Sequence, residues 1–110
     1  MKIIVAEILN SSSAIFHNEG LEIYNHIENE IKNGKPVEIS FEGLENCSTQ
    51  FLNACIGKLY VTFPDKVLVS LLSFIYAPDI PWLEKKVQDV IENAIHSELH
   101  DQLLDNALAF

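Results

Sequence analysis

Residues Val37 to Tyr60 constrain the fold more than any other part of the chain. Val37, Ile39 and Phe41 alternate with Glu38 and Ser40, the period of a strand with one buried face. Glu42-Gly43 turns the chain, and Asn46–Thr49 forms a polar corner. Beyond it, Phe51, Leu52, Cys55, Ile56, Leu59, Tyr60 and Phe63 fall on two adjacent helical stripes, a broad face for burial. Gln50, Asn53, Gly57 and Lys58 fall on the other side. Such a corner sets its side chains at a helix start, where the first N–H groups lack partners and carry partial positive charge. Ser48 and Thr49 stand there, suited to capping the helix and equally to carrying a phosphate.

The remaining segments follow the same alternation. Ile3, Val5 and Ile8-Leu9 predict a strand over residues 2–9, and Ala14–Phe16 a short second strand after a polar turn. Leu21, Tyr24, Ile27 and Ile31 predict a helix over Glu19–Asn33, stopped by Gly34 and Pro36. The apolar run Val67–Tyr76 reads as a connection over 66–70 and a buried strand over 71–76. Asp79 as cap and Pro81 in the first turn then open a helix that reaches at least Ile95. Residues 97–110 keep apolar spacing and read as an extension of that helix or a tail that docks on another chain, a second copy included. The expected fold is α/β: a single domain over 1–110, with a central mixed sheet of about four strands and helices packed against it.

Charge narrows the function. Sixteen acids face seven basic residues, all lysine, for a net charge of −9. That balance argues against nucleic acid, which needs a basic face, and against docking on an anionic membrane. It serves solubility, with attraction to a basic partner as the sharper alternative. The opening apolar run is too short for a signal peptide and is broken by Glu7, and no stretch reaches membrane-spanning length, so a cytoplasmic location is expected. Cys47 and Cys55 lie too far apart along one helix for a mutual disulfide and read as reduced thiols.

Motifs for catalysis are missing. Phosphate loops, nucleophile elbows and paired catalytic carboxylates do not occur, and no cofactor is expected. Cys47 at a helix start is a candidate reactive thiol, with an inert small core residue as the plain alternative. His96 and His100 have the spacing of two metal ligands on one helix face, but no third ligand is evident and the plain reading is a solvated helix end. Trp82 is a candidate anchor for a partner and equally a candidate cover for the core edge.

The quoted motifs carry a resemblance. Phe41-Glu42-Gly43-Leu44, Ser48-Thr49-Gln50-Phe51 and Gly57-Lys58-Leu59-Tyr60 resemble the bacterial STAS-like domain of unknown function, related to the STAS domains of anti-sigma factor antagonists. By order of elements the resemblance covers residues 19–95. It implies a small regulatory partner rather than an enzyme, binding a signalling protein such as a histidine-kinase-type ATPase. The binding surface would be the corner at 46–50, with Asn46, Cys47, Gln50, Asn53 and Lys58 as contacts. In the antagonists the first hydroxyl of the corner takes a phosphate; Ser48 matches it, and Thr49 matches the next. Cys47 replaces the antagonists' aspartate, and Gln50 their glycine. The alternative functions are therefore a phosphorylation-switched antagonist using Ser48 or Thr49, and a thiol or metal protein using Cys47 or His96/His100.

One test follows from the periodicity alone. Phe51→Ala should lower unfolding stability by about 3–5 kcal/mol in urea denaturation, as a core truncation. A change near zero would place that helix face in solvent.

Overall fold

A computed structural model describes the backbone of residues 1–108 and the side chains of residues 1–96. Three strands, β1 (Lys2–Ile4), β3 (Val37–Ser40) and β5 (Leu72–Ile75), form one parallel sheet in the order β1-β3-β5. Ile3, Ile39 and Phe74 lie in register across it. Two further short strands, β2 (Ser13–Ala14) and β4 (Asn46–Cys47), pair in parallel as a second sheet. The fold is α/β as expected. The single mixed sheet of about four strands is instead two all-parallel sheets, because the chain leaves β1 after Ile4. Val5–Leu9 turns into a short helix, α1, and not the second half of a strand. Val5, Ile8 and Leu9 suit one helical turn, and Asn10 closes it in the left-handed region at φ 51°.

Helix α2 (His17–Lys32) buries Ile23, Tyr24, Ile27 and Ile31. Gly34, at φ 70°, ends it: the Gly34 and Lys35 amides donate back to the carbonyls of Ile31 and Glu30. The helix after the corner runs continuously from Thr49 to Thr62, as α3 (Thr49–Leu52), a π-helical turn (Asn53–Gly57) and α4 (Lys58–Thr62). At the π turn one extra residue enters the helix, so Ala54, Cys55, Ile56 and Gly57 are buried in succession. Gly57, expected on the outer side, therefore faces Val90. The stretch read as a connection at 66–70 is helix α5 (Asp65–Leu71), which buries Leu68 and leaves Val69 and Ser70 in solvent. The last helix, α6 (Leu83–Leu108), starts four residues after Asp79, so Asp79 is not its cap; Pro78–Trp82 is a turn region before it.

The contacts fix the layout. Gly20 of α2 lies against Phe51 and Ala54, and Tyr24 of α2 reaches Thr62. Lys86 of α6 reaches Cys47, and Val90 meets Gly57. The 49–62 helix thus lies between α2 and α6, and all three run in the same direction. Their N-termini gather at the end of the molecule where the parallel strands end. Phe41, Phe51, Leu52, Ile56, Leu59, Leu68, Leu83 and Val87 are fully buried beneath them. Among the described residues, no helix is long and apolar enough to cross a membrane.

Gly20 sets the helix spacing. A Cβ there would stand 2.5 Å from the Phe51 carbonyl oxygen and 2.7 Å from Ala54 Cβ, too close for either backbone to remain in place. At Gly57 the nearest atom to an added Cβ is 3.5 Å away, an ordinary contact. Gly20→Ala should therefore cost about 1–3 kcal/mol despite its better helix propensity. Gly57→Ala should be neutral or stabilising by up to about 1 kcal/mol. Urea unfolding of the two variants checks this; equal effects would mean that α2 packs elsewhere.

Candidate functional site

The corner is built from two directions. From β3, Gly43 turns the chain at φ 86°, a conformation that strains any side chain, and a Cβ there would also press on Ala6 at 3.3 Å. Ser40 is buried, and its hydroxyl donates to Glu42 Oε1 at 2.9 Å, holding that turn. The Glu45 and Asn46 amides then donate to the Ser12 carbonyl, and β4 zips onto β2. From the other side comes α2, whose start is held by Glu19: its carboxylate accepts from the Phe16 amide at 3.0 Å and the Ile15 amide at 3.3 Å.

Ser48 joins the two. Its amide donates to the Ala14 carbonyl at 2.9 Å. Its hydroxyl accepts from the Phe51 amide at 3.1 Å, the N-cap bond of the following helix. The same hydroxyl donates to the Ile15 carbonyl. Both functions of the Ser48 hydroxyl are thus taken up within the fold, and the residue is half-buried. Thr49 is exposed at the first helical position.

The other expected contacts divide. Gln50, Asn53 and Lys58 are exposed, as the helical spacing predicts, and so is Asn46 of β4. Cys47 is not on that surface: it sits in β4 with its side chain only 4% exposed, because the short β2–β4 ladder turns it into the core. Burial pushes its thiol up to about 12, with Lys86 pulling weakly the other way, so it stays protonated at neutral pH. Cys55 is buried as expected, and burial raises its thiol further. His96 is exposed, whereas the His100 side chain and the side chains of the tail lie outside the described residues. Among the described residues, no group of three or more His, Cys, Asp or Glu is placed to hold a metal ion.

Tertiary structure adds residues that spacing along one helix does not reveal. Phe16, 62% exposed, follows the residue whose carbonyl receives the Ser48 hydroxyl. Trp82, 46% exposed, lies under Lys86, whose ammonium is 5.0 Å from the indole and 3.3 Å from the Cys47 carbonyl oxygen. Two exposed aromatic side chains therefore flank the corner, one from the start of α2 and one just before α6. Further along, Asn53, Gly57, Lys58 and Val61 face Asn93 and Ala94 of α6 across an open groove of about 370 Å³. Lys58 lies over the Tyr24 ring at 4.6 Å, and the Tyr24 hydroxyl donates to Thr62 at 3.1 Å. The sequence marks Trp82 only as a candidate anchor; Phe16, Lys86 and Asn93 carry no sequence signal, because their neighbours at the site lie more than 30 residues away along the chain or on another helix.

Fold and site together define a small α/β domain with a parallel sheet and a hydroxyl-bearing strand–helix corner. The chain belongs to the family of STAS-like domains of unknown function, whose sequence pattern it matches over residues 19–77. That span runs from the first turn of α2 through the corner and the 49–62 helix to the end of β5. No curated protein and no solved structure matches the chain.

Ser48→Ala should cost about 1–2 kcal/mol, since it removes the cap and the donor to Ile15 together. Thr49→Ala should stay within about 0.5 kcal/mol, measured in the same urea titration. The buried thiols give a pH test. Their folded values lie above the ordinary 9.0, so the unfolded chain loses these protons first as pH rises. Their contribution is complete below pH 9 and is lost as pH climbs toward the folded values. Between pH 7 and 10, unfolding stability should fall by about 1 kcal/mol per thiol; a flat profile would contradict their burial.

Proposed function

We propose that this domain acts by binding another protein, without catalysing a reaction, through the corner at 46–50 and the exposed residues beside it. The observation that carries this reading is the pair of exposed aromatics, Phe16 and Trp82, tied to either side of the corner through Ser48–Ile15 and Lys86–Cys47. Large aromatic side chains left in solvent beside a rigid, neutral surface are the residue types that dominate binding energy at protein interfaces. Open parallel α/β sheets also place their ligands outside the carboxyl ends of the strands, where this corner lies. Asn46, Gln50, Asn53 and Lys58 supply the polar contacts around the aromatics. Cys47 serves the core beneath and is not a contact. The family resemblance suggests a regulatory partner such as a histidine-kinase-type ATPase.

A second reading is favoured by one detail. A phosphorylation switch at this corner would act on Thr49, which is exposed, and not on Ser48, whose hydroxyl both caps the helix and donates to Ile15. A phosphate on Thr49 would sit at a helix start in the middle of the proposed surface, where it would change partner affinity directly.

The test is affinity purification of the protein from its own cells. The wild type should retain a stoichiometric protein partner. Phe16→Ala, Trp82→Ala and Thr49→Asp should each lower its recovery at least several-fold while the melting temperature stays within a few degrees. Unchanged recovery in all three would remove the corner from the interface.

A further inference from the structure

From Asn46 to Pro64 the chain holds no aspartate or glutamate, although sixteen acids are spread over the rest. That stretch is the corner and the whole 49–62 helix. Its exposed residues, Asn46, Thr49, Gln50, Asn53, Lys58, Val61 and Thr62, are neutral or cationic. On α6, Lys86 lies at the corner beside Trp82 and Asn93 lines the groove, seven residues and so about 10 Å apart. Asp89, exposed, stands one turn from each of them on the same side of α6; of the three, only Asn93 lines the groove. Glu45 stands at the margin of the corner.

The cations here are positioned over aromatic rings, and the Glu28 carboxylate lies within electrostatic reach of Lys58. Lys58 rests on Tyr24 and Lys86 on Trp82, at 4.6 and 5.0 Å. Among the described residues the ion pairs are Lys2–Glu42 and Lys32–Glu28, so within that set Lys58 and Lys86 make no direct ion pair, and Lys32 holds the Glu28 carboxylate at 2.7 Å. The N-termini of α2, the 49–62 helix and α6 converge at the same end, and each contributes partial positive charge. A strongly acidic protein thus keeps its corner and central helix free of acids, with Glu28, Glu45 and Asp89 only at the edges, and this strip lies beside the exposed aromatics.

We infer that the partner meets this strip with an acidic segment: apolar side chains against Phe16 and Trp82, carboxylates toward Lys58 and Lys86. This rests on the proposed partner-binding reading and specifies its chemistry. It also reverses the simplest inference from net charge, which is a basic partner. The −9 charge is carried on the remaining faces, where it keeps copies apart and discourages contacts away from the strip. A second copy does not fit, because the strip would set its cations against those of its twin.

Photo-crosslinking tests this. The full chain carries a photoreactive residue in place of Gln50 or Val61 and is irradiated in its own cells, and the crosslinked peptides are sequenced by mass spectrometry. The expected product joins these positions to a segment of another protein with net negative charge, and Lys58→Glu lowers its yield several-fold. A neutral or basic segment, or an acidic one whose yield ignores Lys58→Glu, overturns this inference while leaving partner binding at the corner intact. A crosslink to a second copy of this chain overturns it as well. No crosslink at either position overturns both readings.

Discussion

One hydroxyl, that of Ser48, couples the layers of this molecule. It accepts the Phe51 amide that starts the central helix and donates to the Ile15 carbonyl at the entry to α2. The Ser48 backbone meanwhile extends the β2–β4 ladder through Ala14. A capping bond alone stabilises a helix start by about 1 kcal/mol. Here the same atom also fixes where the start of α2 lies relative to the corner. The exposed faces of Phe16, Thr49 and Gln50 are therefore presented in a fixed arrangement, which would lower the ordering cost of the proposed binding. This double use also separates the two hydroxyls of the corner: Ser48 belongs to the scaffold, and Thr49 to the surface.

The second constraint is the closeness of the helices. Gly20 lets the α2 backbone meet the Phe51 carbonyl, and the π turn gives the central helix enough buried positions to contact α2 and α6 together. A regular helix with the sequence spacing of residues 49–62 would leave Gly57 outside. The inserted residue brings it in against Val90, so α6 can approach. Three parallel helices follow, with their starts together at the strand ends. The partial positive charge of those starts, Lys58, Lys86 and the absence of acids from Asn46 to Pro64 thus reflect one layout.

Much of this was legible in the residues, because the signals were local. Strand alternation in Val37–Phe41, the stop at Gly34-Lys35-Pro36 and the buried stripe from Phe51 to Tyr60 each depend on a few neighbouring side chains. The motifs between Phe41 and Tyr60 pointed to the STAS-like family, to which the chain belongs. What failed depended on distant contacts. The turn of Val5–Leu9 into a helix, and with it the split into two parallel sheets, is not decided by periodicity within a short apolar run. The same ambiguity hid α5. Cys47 read as a helix-start residue, yet pairing with Ala14, thirty-three positions earlier, buries it. Likewise, that Phe16 stands beside the corner follows only from the Ser48–Ile15 bond.

The central claim is that a pre-formed corner, flanked by Phe16 and Trp82, is the face that meets another protein. Hydrogen–deuterium exchange on the complex isolated from native cells, compared with the free protein, tests it most directly. The account predicts that the partner slows exchange in the segments containing Phe16, Asn46–Asn53 and Trp82, and leaves the sheet residues Lys2, Glu38 and Ser73 unchanged. A footprint on that sheet face, with the corner exchanging at its free rate, would contradict it.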